Sequence, residues 1–245
     1  MQRRQLVLGS LAGFAASVVP RRAAMAAPGP GVLFHASQSG KPTYDEGDGG
    51  GNPFASALID LLGQEIERFE DFSRRLAELT KAKSGGRQIV DRVAKGTPGI
   101  SPAASRRLAG TRVALVIVNA DYTQSDGAQS LPGARADADR VANALSRSGF
   151  ATQTVLDAPL GQFKAALVEF QKRSRAAGVA VVYTTGHGVE VGGAVHLLMG
   201  NFPVPKGAAA LPTHAIRLTD IAKAAEATRA NFVFYGGCRD NPFAK

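Results

Sequence analysis

Residues 231–245 read NFVFYGGCRDNPFAK. The apolar run Phe232 to Tyr235 has the composition of a strand buried on both faces. It breaks on Gly236-Gly237 and delivers Cys238, the one cysteine in 245 residues. Open α/β sheets place their chemistry just beyond the carboxyl ends of such strands. A free cysteine is also a small hydrophobe that packs readily into a core. The thiol is therefore either a packing residue or a nucleophile until the rest of the chain is read.

Working upstream, strand and helix patterns alternate. Residues 113–118 (VALVIV) and 179–183 (VAVVY) are β-branched, near-continuous apolar runs, and 152–156 reads as a further strand. Between them, Ala138, Val141, Ala142 and Leu145 share one face of a helix over 134–147. Phe163, Leu167 and Phe170 do the same over 160–176, and a last helix spans 218–227. This alternation predicts an α/β fold with a doubly wound, mostly parallel sheet sandwiched by helices.

The amino-terminal half is organised differently. Residues 31–38 (GVLFHASQ) predict a strand, followed by a polar, Gly-rich loop over 39–52. Pro53 suits the first turn of a helix, whose inner face is Phe54, Ala57, Leu58, Leu61 and Leu62. A second helix over 65–83 carries Ile66, Phe69, Phe72, Leu76 and Leu79 inward, with acids early and bases late, as the helix dipole favours. Residues 88–90 suggest an edge strand. The Gly/Pro/Ser-rich stretch AKGTPGISPAAS reads as a linker.

Composition limits the function classes. The formal charge of +9 includes Arg3, Arg4, Arg21 and Arg22 in the first 26 residues, which carry no acid, leaving +5 for the remainder. That charge is dispersed over helix faces, and tryptophan is absent. Neither fits a basic recognition element or a base-stacking surface, so no nucleic-acid partner is expected. A single cysteine allows no internal disulfide. Arg3-Arg4, the apolar stretch Leu6 to Val19 and Ala24-Met25-Ala26 form an export-signal pattern over 1–26 of twin-arginine type, implying a periplasmic or secreted protein with no membrane contact after signal removal. The alternative, a membrane anchor, needs about 20 strongly apolar residues. Asp45, Glu46 and Asp48 invite a calcium loop, but the EF-hand ligand spacing is missing, and a solvated loop reads better. No cofactor or metal ligand set is found, and His35, His196 and His214 receive no role.

One pairing carries chemistry. The strand over 179–183 runs into Gly186-His187-Gly188, and the last strand runs into Gly236-Gly237-Cys238. On neighbouring parallel strands, about 4.8 Å apart, both side chains would stand at one edge of the sheet. His187 could then take the thiol proton, and the thiolate could attack a carbonyl carbon. The glycines admit a substrate backbone and leave N–H groups free for a developing oxyanion. Taken alone, His187 could equally be a turn histidine.

Three blocks resemble the caspase-like cysteine peptidases, in particular the bacterial metacaspase-like branch: ALVIVNADY…LPGARADADRVANAL, VAVVYTTGHGVEVGGAVHLL and FVFYGGCRDNPFA. They are similar to that family's first strand with its L-x-G-x-x-x-D loop, its strand ending in G-H-G, and its D-A-C-R-D-N-P-F segment. His187 precedes Cys238 by 51 residues, near the roughly 50 known for caspases. The resemblance implies a cysteine endopeptidase with Cys238 as nucleophile, His187 as base, and the N–H groups of Gly188 and Cys238 as oxyanion donors. It further implies a peptide or protein substrate lying along a cleft walled by the loop after Gln38, with Ser37 and Gln38 as substrate contacts. Calcium dependence would be an analogy only.

Such a family member continues past its cysteine into a small-subunit part. Here GVLFHASQSGKPTYDEGDGGGNPFASALIDLL resembles that part's opening, which predicts a circular permutation, with a gene truncation as the other explanation. The expected organisation is a small-subunit-like part over 27–92, a flexible linker over 93–111 and a large-subunit-like part over 112–245. Exposed loops tolerate such rearrangement, and a linker of this length spans about 25 Å. Asp137 matches one of two acids that hold a basic side chain before the scissile bond in the metacaspase branch, though a helix N-terminal acid is also favoured by the dipole. The other acid is replaced by Gly236. Two rival readings are a degenerate domain that binds peptides or partners without cleaving, and a thiol hydrolase of small esters.

Overall fold

The computed structural model describes residues 26–47 and 50–243; all but the last residue of the expected signal, and Asp48 of the acidic loop, lie outside them. Among the described residues no helix is long and apolar enough to cross a membrane. The strands are β1 (Gly31–His35), β2 (Asp91–Lys95), β3 (Arg112–Val118), β4 (Ala151–Leu156), β5 (Val179–Thr185), β6 (Gly188–Val191), β7 (Ala194–Leu198), β8 (Ala215–Arg217) and β9 (Ala230–Tyr235). The helices are α1 (Pro53–Leu62), α2 (Phe69–Lys83), α3 (Pro132–Arg147), α4 (Leu160–Arg175), α5 (Leu211–His214) and α6 (Leu218–Ala222).

Six strands form the main sheet in the order β2-β1-β9-β5-β3-β4. All neighbours are parallel except β2, which runs antiparallel to β1 at the edge. The alternation of side chains along each strand divides the core. Ala114, Val116, Val181, Phe232 and Phe234 face α1, α2 and α3. Leu115, Ile117, Val182 and Val233 face α4 and α6. The doubly wound, mostly parallel α/β sheet expected from the sequence is therefore present.

β1 lies directly beside β9, in register from Gly31↔Asn231 to His35↔Tyr235. Phe34 stacks on Phe234 with centroids 5.2 Å apart and rings 5° from parallel. Phe54, Phe69 and Phe72 close around this pair. β1 is thus anchored to β9 by aromatic burial.

Several boundaries differ from the sequence pattern, each for a local reason. β1 ends at His35, because Ser37 already turns back through its hydroxyl to the Lys41 carbonyl, 3.0 Å. α2 starts at Phe69 instead of residue 65, since Glu65 and Glu67 extend to Arg106 and Arg107. The edge strand lies at 91–95 instead of 88–90. Gln88 is buried and bridges Tyr44 N and the Ala36 carbonyl through its side chain. α6 stops at Ala222 because the Ser174 hydroxyl receives Glu226 N and donates to the Ala224 carbonyl, 2.9 Å each.

The segment 93–111 is not the flexible chain its composition suggests. Its first residues belong to β2, Ser101 N donates to the Glu67 carbonyl (2.9 Å), and Ala104–Arg107 form a 3-10 turn. The second, antiparallel sheet β6-β7-β8 has no counterpart among the elements that the sequence pattern predicts. Its strands hold three to five residues, too few to display a period.

Candidate active site

β5 and β9 pair in parallel from Val179↔Ala230 to Thr184↔Tyr235, so the segments that follow them leave the same edge of the sheet. Gly186 turns the chain at φ 147°, a region that favours glycine. Beyond it, His187 N donates to the Tyr122 hydroxyl (2.8 Å), which donates to the Leu198 carbonyl (3.0 Å). Leu198 N donates back to the His187 carbonyl, 2.9 Å. The tyrosine oxygen is thus inserted into what would be a direct ladder bond between His187 and Leu198. The Tyr122 ring also meets the imidazole edge-on, centroids 4.5 Å apart.

The His187 Nε2 atom lies 2.7 Å from the Gln129 carbonyl. A carbonyl only accepts, so Nε2 carries the hydrogen and Nδ1 keeps its lone pair. In the neutral form of this half-buried imidazole the acceptor nitrogen is therefore Nδ1. Because His187 and Leu198 are the bonded pair of the ladder, the next pair, Gly188 and Leu197, is a non-bonded one. Gly188 N–H is left out of the ladder.

Tyr235 ties this loop to the thiol. Its hydroxyl donates to the Cys238 carbonyl, 3.0 Å. A Cβ added to Gly188 would lie 1.6 Å from that hydroxyl oxygen and 2.7 Å from the Cys238 carbonyl oxygen. One added to Gly237 would lie 2.4 Å from the hydroxyl and 2.8 Å from the Gly186 carbonyl. The glycines are therefore what allow the two loops to touch.

The Cys238 thiol is half-buried. Burial raises its pKa, and hydrogen bonds from Thr43 pull in the other direction. Thr43 N lies 3.2 Å and Thr43 Oγ1 3.4 Å from Sγ. Among the described residues the hydrogen-bond partners of Sγ come from Thr43 and not from His187. A thiol held neutral by burial needs a base before it can act as a nucleophile.

Arg239, to which the sequence pattern assigns no role, ties the elements around the site together. Its guanidinium donates to Asp91 Oδ2 (2.7 Å), Glu190 Oε2 (2.9 Å) and the Ser37 carbonyl (3.3 Å). It joins β2, β6 and the turn after β1 one residue past the thiol. Charge-assisted bonding of this kind is directional and strong. The only sequence signal was its place beside Cys238.

The remaining predicted residues are placed as follows. Ser37 is buried and its hydroxyl closes its own turn; Gln38 is exposed and its carbonyl accepts from Lys41 N, 3.1 Å. Asp137 is fully buried. Its Oδ2 accepts from Asn52 N (2.9 Å) and its Oδ1 from Arg140 Nη1 (3.0 Å). Burial pushes its pKa up to about 7, against the pull of those donors. A Cβ on Gly51 would lie 2.0 Å from Oδ1, so both carboxylate oxygens face other parts of this chain. At Gly236, a Cβ would lie 2.9 Å from Thr185 Oγ1 and 3.3 Å from the Tyr183 hydroxyl. Neutral hydroxyl groups therefore crowd the space beside Gly236. Asp45 serves a structural contact, accepting from Gly133 N (2.9 Å) and Ala134 N (2.8 Å).

A mostly parallel α/β sheet here brings a histidine loop and a cysteine turn into contact at one edge. The caspase-domain model of peptidase family C14 matches residues 111–242, more than half of the chain, and the chain belongs to that family. It is thus a member of a family of cysteine peptidases, whose substrates are peptides or proteins. No curated protein sequence matches it significantly.

Proposed function

We propose that this chain is a caspase-type cysteine endopeptidase working through Cys238 and His187. The observation that carries the proposal is the contact between the Gly186–Gly188 loop and the Gly237–Cys238 turn across the Tyr235 hydroxyl. In the reaction, His187 Nδ1 takes the Sγ proton and the thiolate adds to the scissile carbonyl carbon. The N–H groups of Gly188 and Cys238 receive the oxyanion. The imidazolium returns the proton to the leaving amine as the C–N bond breaks, and water, deprotonated by the same histidine, cleaves the thioester.

Cleavage after Arg or Lys would need the Asp137 carboxylate to leave Asn52 and Arg140, and Gly236 offers no second acid. Export rests on the twin-arginine pattern of the first 26 residues. The circular permutation is supported by β1, which occupies the position next to β9 that a small-subunit strand following the cysteine would take. Calcium remains an analogy from the resemblance, with Asp45 already engaged by α3.

The reading from another class, a binding module without turnover, is favoured by one observation: Sγ is bonded to Thr43 and not to His187. Peptide reporters bearing Arg, Lys or Asp before the scissile bond separate the two. The peptidase reading expects hydrolysis that disappears in Cys238→Ala and in His187→Ala. Turnover surviving either substitution refutes the dyad, and silence on every reporter from a protein whose thiol is readily alkylated favours the binding module.

A further inference from the structure

The extended segment from Gly40 to Asp45 crosses the thiol. Three atoms of Thr43 surround Sγ: the amide nitrogen at 3.2 Å, Oγ1 at 3.4 Å and the carbonyl oxygen at 3.8 Å. A reacting carbonyl carbon must come within about 3–3.5 Å of the nucleophile. Thr43 therefore lies against the nucleophile at the distance a substrate carbonyl would take up.

The segment is fastened along its length. Gly40 N donates to the Arg239 carbonyl (3.0 Å) and Arg239 N to the Lys41 carbonyl (3.1 Å). Thr43 Oγ1 donates to the Gly236 carbonyl, 3.1 Å. Tyr44 N donates to Gln88 Oε1 (3.2 Å), and the Arg87 guanidinium lies 4.1 Å over the Tyr44 ring. At the far end the Asp45 carboxylate takes two N–H groups from the first turn of α3, those of Gly133 and Ala134. A Cβ on Gly133 would lie 1.9 Å from the Asp45 carbonyl oxygen, so the glycine admits the segment. Further on, Gly51 and Asn52 cover the Asp137 carboxylate.

We propose that residues 40–45 are an autoinhibitory strap: in the resting protein they occupy the nucleophile, and the Asp45–α3 contact is the latch whose release opens the cleft. The proposal concerns the regulation of the site described above and rests on that reading for its consequence, but not for its existence. Its chemistry is non-covalent. Release exchanges the Thr43 hydrogen bonds at Sγ for a substrate carbonyl, and the α3 N-terminus loses an anionic partner that helix ends favour.

Cys238 is the sole cysteine, so iodoacetamide labelling of the full chain reads one thiol without ambiguity. Asp45→Asn should raise the labelling rate by about tenfold, the factor expected when a contact of about 1.4 kcal/mol is lost. Thr43→Ala, which loosens the strap over Gly236, should raise it in the same direction. Reporter hydrolysis should rise in parallel. Labelling that stays at the wild-type rate in both variants, with their melting temperatures unchanged, overturns the strap. Faster labelling without hydrolysis of any reporter upholds the strap and instead overturns the peptidase reading. Should Asp45→Asn lower the melting temperature, Thr43→Ala decides alone: a rate equal to wild type there also overturns the strap.

Discussion

The hydroxyl of Tyr235 lies against the Cα of Gly188, 1.6 Å from where a Cβ on that glycine would stand, while it donates a hydrogen bond to the Cys238 carbonyl. One phenol thus sets the spacing between the histidine loop and the cysteine turn. Gly188→Ala should cost about 1–3 kcal/mol, the range for overpacking a filled site. Tyr235→Phe removes the obstructing oxygen, so the double variant should recover part of that loss in thermal melts. Strict additivity of the two substitutions would show that the contact is not the cause.

Tyr122 should act on His187 without touching substrate. Tyr122→Phe removes the oxygen that joins His187 N to the Leu198 carbonyl, and the buried loop loses about 1–3 kcal/mol. Misplacing a catalytic group by an ångström costs up to about 100-fold. The expected kinetic signature is a lower kcat with little change in KM. Values of kcat and KM both as in wild type, with only the melting temperature lowered, would assign Tyr122 to stability alone.

Phe234 anchors β1 to β9. Phe234→Ala deletes the partner of Phe34 and a neighbour of Phe54 and Phe72. Loss of about 3–5 kcal/mol is expected from the cavity and the lost transfer energy, read as a shift of the urea midpoint. A change below about 1 kcal/mol would mean that the aromatic cluster closes over the gap.

Two buried groups pull the pH dependence of stability in opposite directions. Burial raises Asp137 to about 7, so the folded state keeps a proton that the unfolded chain releases near pH 4. Its contribution to stability therefore falls as pH rises from about 4 to 7. His35 is lowered to about 4, first by burial and then by Arg239. Its contribution is present above the unfolded value of 6.5 and is lost as pH falls toward 4. In Asp137→Asn only the histidine effect remains, so stability should drop on acidification from pH 6.5 to 4, by up to about 1.4 kcal/mol per pH unit. Melting temperatures across that range provide the check, and a profile identical to wild type would contradict the assignment for Asp137.

Much of the frame is legible in the sequence. β3, β5 and β9 are continuous apolar runs, and their glycine punctuation already located His187 and Cys238. Burial on both faces leaves no other composition for a central strand. The helices α1, α3 and α4 followed from their apolar stripes, because a stripe at helical spacing must face a core.

Other features depended on the folded chain. Glu65, Gln88 and Ser174 moved element boundaries through side-chain partners far away in sequence, which local periodicity does not record. The short strands of the second sheet carry no period of their own. Most consequential is NFVFYGGCRDNPFAK itself. Its residues announce a thiol at a strand end and an opening for a base, and that much is local chemistry. Tyr235 gauging the distance to Gly188 is a relation between two strands. Arg239 reaches back 49 residues to Glu190, and Thr43 covers a sulfur 195 residues further along the chain. These relations arise from packing and hydrogen bonding in three dimensions, and only the tertiary structure holds that information.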